Sequence, residues 1–93
     1  MSVLVRFTPA GSTTTEQYDE TIRRLEQAGD FPPEGLDLHV CFLADGNLRV
    51  SEVWESQEKL QAFGEKLRPR MEEAGIQLSG DPEIFQAHNF ETF

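Results

Sequence analysis

The sequence predicts an α+β domain in which two helices cover one face of a four-stranded antiparallel sheet. Three observations predict it. Two segments repeat apolar residues at helical spacing: Tyr18, Ile22 and Leu25, then Leu60, Phe63, Leu67, Met71 and Ala74. Two β-rich runs flank Asp45-Gly46, the dipeptide that a two-residue type I′ hairpin prefers. Further strand-like runs near each end complete the order β-α-β-β-α-β.

Residues 2–7 are rich in Val and Leu and read as a buried strand, broken by Pro9 and Gly11. Thr13 with Glu16, or Thr14 with Gln17, makes a capping box, so the first helix spans about residues 15–28. Gly29 ends it. Asp19 with Arg23, and Glu20 with Arg24, are expected pairs on its exposed side. Pro32 and Pro33 remove donors and fix φ, which makes residues 30–35 a connecting loop. Residues 36–44 and 47–54 form the hairpin strands. Ser56 caps the second helix, with Glu58 in its first turn. Pro69 predicts a kink or break near Arg68, and Gly75 closes the helix. Residues 76–78 are a short extended piece. The last strand covers residues 83–90, with Pro82 at its start, where a missing donor is tolerated.

This order in one sheet, with both helices on one side, is the split βαβ, ferredoxin-like arrangement, here as a single domain over residues 1–93. Right-handed crossovers set the strand order 4-1-3-2, with one parallel pair expected at the centre and antiparallel neighbours elsewhere. The other sheet face is bare. Leu36, Leu38, Val40 and Phe42 are expected to share that face of the second strand. Leaving each in water costs about 1.5–3 kcal/mol, and a two-fold homodimer that stacks two bare faces removes the cost.

A chain of 93 residues buries only about 60–65% of its unfolded surface, so a second copy would add substantially to its core. Seventeen acidic residues against eight basic give a net charge of −9, with no basic stripe. Nucleic acid and anionic membranes are repelled and are discounted as partners. Cys41 is the single cysteine, so no internal disulfide forms. No run reaches the ~18 apolar residues of a membrane span, and the N-terminal apolar run is too short for a signal peptide. The expectation is a cytoplasmic protein.

The two-residue turn sets a register in which Ala44 faces Asn47. Leu43 then faces Leu48, Cys41 faces Val50, His39 faces Glu52 and Asp37 faces Trp54, all on one sheet side. His39 and Glu52 become cross-strand neighbours. A carboxylate beside an imidazole orients the ring, the arrangement a general base uses. Trp54, one pleat further, is placed to stack a flat aromatic molecule. Tyr18 and Phe63 fall on the inner helix faces, as core or as pocket walls. Asp37, His39 and Cys41 alternate along one strand and therefore spread apart, which argues against a metal site. His88 lies on the last strand with no partner evident within the chain. Arg6 and Arg49 sit in strands and call for Glu or Asp partners. The chain has no phosphate-binding glycine loop, no nucleophile elbow and no His-Glu-x-x-His.

The stretch Val53-Trp54-Glu55-Ser56 followed by Gln57-Glu58-Lys59-Leu60-Gln61-Ala62-Phe63 resembles the dimeric α+β barrel superfamily, and within it the small antibiotic-biosynthesis-monooxygenase-like proteins. The superfamily includes cofactor-independent monooxygenases of polycyclic quinols, haem-degrading enzymes, small isomerases and members without known activity. The resemblance implies a homodimer. Haem-binding members carry a histidine on the second helix three residues after a leucine; that place is Phe63 here, so the resemblance implies no haem. Monooxygenase members often show an asparagine on an early strand, and the first strand here has none. Trp54 is the residue that carries over.

The expected function is binding of a small, flat, hydrophobic molecule between sheet and helices, without metal or cofactor. One form of it is a monooxygenase-like enzyme or proton-transfer isomerase with His39 as base, Glu52 as its orienting carboxylate, and Trp54, Tyr18 and Phe63 as walls. The alternatives are a non-catalytic binding module and an interaction protein of the same fold.

Overall fold

A computed structural model describes residues Met1–Phe93. The elements in chain order are β1 (Val3–Phe7), α1 (Thr15–Gln27), β2 (Leu36–Ala44), β3 (Asn47–Trp54), α2 (Gln57–Ala74) and β4 (Glu83–Gln86). Asp45 and Gly46 both take positive φ, 53° and 81°, as a type I′ turn requires, and β2 and β3 pair from Ala44–Asn47 outward.

The sheet order is β2-β3-β1-β4, the 4-1-3-2 arrangement. All three neighbouring pairs are antiparallel, so the expected central parallel pair does not occur. The reason is topological. The β1–α1–β2 crossover makes β1 and β2 parallel, and β3, folded back from β2 by the hairpin, inserts between them. It is therefore antiparallel to both.

Both helices begin as their caps dictate. Thr14 and Gln17 close a reciprocal capping box on α1, and the Ser56 hydroxyl accepts from the Lys59 amide at the start of α2. On the surface of α1, Glu20 takes both Arg23 and Arg24, displacing the expected Asp19–Arg23 pair. These two guanidiniums hold the Glu20 carboxyl below its ordinary range. α2 runs through Pro69 without the predicted break. Pro69 and Glu65, whose carbonyl loses its donor, are both exposed, so water can satisfy that carbonyl.

The core lies between sheet and helices. Val3, Val5, Leu25, Trp54, Leu60 and Phe63 form it, with Phe7, Ile22, Phe31, Leu36 and Leu67 packed around them. Leu36 differs from expectation. A bulge between Leu36 and Leu38 brings Leu36, in place of Asp37, opposite Trp54. The extra residue turns Leu36 into the core and leaves Asp37 in solvent. Leu38, Val40 and Phe42 do line the outer face, each 42–45% exposed, and Phe85 of β4 joins them at 44%.

β4 is shorter than expected and stops at Gln86, so His88 is outside any strand and exposed. Its partner β1 offers pairing only as far as Val3; one further bond joins the Ala87 amide to the Ser2 carbonyl. Arg6 meets Glu83 at 4.0 Å on the surface, and Arg49 donates to the Leu48 carbonyl at 2.8 Å. No helix is long and apolar enough to cross a membrane.

Candidate functional site

Glu52 is the unusual residue of the core, a carboxylate with only 2% of its surface exposed. It sits on β3 between Val50 and Trp54 on the inner face, where strand alternation points it at the helices. Burying such a group is costly unless its oxygens are satisfied. Two N–H donors do this, one to each oxygen. The Trp54 indole Nε1–H donates to Oε1 at 2.9 Å, and His39 Nδ1 lies 2.6 Å from Oε2.

His39 reaches Glu52 because the hairpin register puts the two residues directly opposite each other. Its other nitrogen, Nε2, lies 2.5 Å from the Tyr18 hydroxyl, supplied by α1. The partners assign the tautomer. Glu52 accepts only, so Nδ1 carries the proton; Nε2 then accepts from the phenol. The result is a four-residue chain, Tyr18–His39–Glu52–Trp54, drawn from one helix and two strands. Burial first, and then the charges of Cys41, Glu52 and Asp19, push the Tyr18 phenol up to about 12, so it stays protonated at neutral pH.

Aromatic rings fix the imidazole from two sides. Tyr18 stacks on it with ring centroids 6.0 Å apart, and Phe31 meets it edge-on at 5.5 Å. Phe31 comes from the proline loop, which is tied down at both ends. The Asp30 amide donates to the Leu25 carbonyl at 2.8 Å, Lys66 pairs with Asp30 and Lys59 with Glu34. Sequence reasoning assigned Phe31 to a connecting loop and missed it. The one available signal was a bulky aromatic placed directly before two prolines.

The Tyr18–His39–Glu52 end opens on a cavity of about 60 Å³ whose other walls, Thr21 apart, are apolar, among them Ile22, Phe31, Leu48 and Phe63. Tyr18, His39, Glu52 and Phe63 thus border one space. Trp54 does not. It is fully buried, packs on Phe63 at 5.5 Å and meets the site through its indole N–H alone. Cys41 lies two residues further along β2, half-buried, its thiol pushed up by burial and then by Asp19. Asp37 is at the bulge in solvent, and no three His, Cys, Asp or Glu side chains converge as metal ligands.

No protein-family pattern matches the chain, and no curated protein does. Solved structures do. A candidate antibiotic biosynthesis monooxygenase from Deinococcus radiodurans superposes with a TM-score of 0.62 at 11% identity, over 100% of this chain and 98% of the other. The chain shares their fold. SnoaB, a cofactor-independent oxygenase from Streptomyces nogalater, superposes at 0.59 with 16% identity, over 96% of this chain and 93% of its own. A further candidate monooxygenase of this kind, from Chloroflexus aurantiacus, gives 0.60 at 16% identity, over 98% and 95% of the two chains. The ferredoxin-like β-α-β-β-α-β architecture expected from the element order is the one these structures share.

Proposed function

We propose that the protein binds a flat, hydrophobic small molecule bearing an acidic hydroxyl or ring C–H, and removes a proton from it with His39. The observation that carries this reading is the Tyr18–His39–Glu52–Trp54 hydrogen-bond chain facing an apolar cavity. His39 Nε2 accepts the proton. Glu52 receives the Nδ1–H and stabilises the imidazolium that forms. Trp54 is a positioning residue, since its N–H holds the second carboxylate oxygen. The Tyr18 hydroxyl, freed from Nε2 when substrate displaces it, donates to the developing oxyanion. Phe63 and Phe31 are walls.

The electron-rich anion left behind is what reacts with dioxygen in a cofactor-independent oxygenation. A ring methylene and O₂ become a carbonyl and water, the methylene carbon supplying the electrons and its two hydrogens ending in the water. SnoaB, which has this fold, is a cofactor-independent oxygenase. We place the chemistry in a homodimer, because Leu38, Val40, Phe42 and Phe85 leave an apolar outer face that a second copy covers.

A second reading, a binding module without chemistry, is favoured by one observation: Tyr18 already occupies the basic nitrogen of His39. Oxygen uptake with a panel of polycyclic quinols and anthrones separates the two. His39→Ala is expected to lower turnover by about 100- to 10,000-fold, the usual worth of a general base. Turnover that His39→Ala leaves intact removes the base from the mechanism. Binding without turnover by the native protein selects the module.

A further inference from the structure

Tyr18 is the only phenol in the chain and Trp54 the only indole, and one hydrogen-bond chain through His39 and Glu52 joins them. The two ends differ in access. Trp54 is fully buried, whereas Tyr18 is half-buried and borders the cavity beside His39. A small oxidant arriving from solvent therefore meets the phenol before the indole.

A phenol resists one-electron oxidation when its proton has nowhere to go, because the radical cation left behind is a strong acid. A base already in contact removes that obstacle. His39 Nε2 lies 2.5 Å from the Tyr18 oxygen and accepts its hydrogen bond in the tautomer assigned above. Behind the imidazole, Glu52 Oε2 is 2.6 Å from Nδ1 and stabilises the imidazolium that results. Only 2% of Glu52 is exposed, so water screens that charge little. The Trp54 N–H on Oε1, at 2.9 Å, keeps the carboxylate in place. The phenol, pushed up to about 12 chiefly by burial, is protonated at neutral pH, so electron and proton leave together.

Charge and space select the oxidant. A net charge of −9 repels anionic radicals such as superoxide. The cavity that Tyr18 and His39 border, about 60 Å³ with mostly apolar walls, has room for about two water-sized groups. An uncharged radical with its unpaired electron on a terminal oxygen atom meets both conditions.

We propose that Tyr18 is a one-electron redox site that reduces small, uncharged organic peroxyl radicals, with His39 as acceptor of the phenolic proton and Glu52 as a positioning residue. The Tyr18 O–H bond breaks. Its proton bonds to His39 Nε2, and one electron passes to the peroxyl oxygen, which takes a proton from solvent and leaves as a hydroperoxide. Tyr18 remains as a neutral phenoxyl radical beside an imidazolium paired with Glu52. This chemistry belongs to the ligand-free protein, in which Tyr18 occupies Nε2.

Pulse radiolysis supplies the probe, the trichloromethylperoxyl radical, which is small and uncharged. The native protein is expected to show the narrow violet absorption band and the paramagnetic resonance signal of a phenoxyl radical; Tyr18→Phe should lack both. His39→Ala is expected to slow phenoxyl formation by about tenfold or more, equal to about 1.4 kcal/mol on the barrier. The native rate should fall in deuterium oxide, because the proton moves in the same step. Glu52→Gln should slow the step and also move the resonance position, which reports the imidazolium N–H on the phenoxyl oxygen. Circular dichroism verifies the fold of each variant, and if His39→Ala does not fold, the native isotope effect and Glu52→Gln decide. A rate that His39→Ala leaves unchanged overturns the proposal. So does a native rate insensitive to deuterium, or a lasting tryptophanyl band in place of the phenoxyl one. No quinol is present, so the outcome is separate from that of the oxygen-uptake assay.

Discussion

Tyr18 is the only tyrosine in the chain, so its ionisation can be followed directly through the near-ultraviolet absorbance of the phenolate. The phenol is raised from an ordinary 10.0 to about 12, chiefly by burial. Two pH units correspond to about 2.7 kcal/mol between protonation states. Tyr18 is only half-buried, and solvent screening reduces the effect on stability to about 1 kcal/mol. The sign follows from proton counting. Above pH 10 the unfolded chain releases the phenolic proton while the folded protein keeps it, so stability falls with rising pH. The stabilisation is whole below 10.0 and is lost as pH climbs through about 12. An alkaline titration should therefore place the native midpoint near 12, with Trp54 fluorescence verifying that the fold persists. Glu52→Gln removes one of the neighbouring charges and should lower the midpoint. Tyr18→Phe should abolish the alkaline slope in stability measured by urea unfolding. A native midpoint at 10.0 would mean a solvated phenol, and the hydrogen-bond chain through His39 would have to be given up.

Trp54→Phe removes the N–H that satisfies Glu52 Oε1 and leaves a buried carboxylate oxygen without a partner. Urea unfolding should show a loss of about 1.5–3 kcal/mol for that bond, and a loss below about 0.5 would mean that water replaces the indole. Val40→Glu places a charge in the apolar outer face and should convert the homodimer proposed above to monomer in analytical ultracentrifugation, with circular dichroism unchanged; a dimer that survives it uses another surface. Thr14→Ala breaks the capping box and should cost about 1 kcal/mol in thermal unfolding, while Thr13→Ala should be neutral.

What the sequence made legible follows the range of the interaction concerned. The hairpin is local: Asp45-Gly46 dictates a two-residue turn, and the turn alone places His39 opposite Glu52. That inference held for seven residue pairs, from Ala44–Asn47 to Leu38–Val53, and then failed at Asp37. A bulge adds a residue without any sequence marker, and the side of the sheet that Leu36 faces changed with it. Caps were equally readable, since Thr14 and Gln17 need only each other. The Tyr18–His39 bond was out of reach because it depends on how α1 is rotated and seated over β2, which packing across the whole core decides. Trp54 shows a related gap. Its place at the strand end was plain, yet the direction of its ring was not, and that direction makes it a support for Glu52 in place of a surface for ligand. Pro69 marks the limit of propensity: the rule concerns an isolated helix, and a helix held along its buried stripe tolerates one missing bond on the wet side.

The Asp37 bulge affects more than which residue meets Trp54. β2 is an outermost strand, and its free backbone groups are a template on which another chain's strand could grow. The irregular spacing and the protruding aspartate spoil that template over the first turn of the strand's length. Extension of the sheet sideways, the route to fibrous assembly, is thereby discouraged, while broadside stacking through Val40 and Phe42 stays open. One inserted residue biases the molecule toward closed association over endless polymerisation.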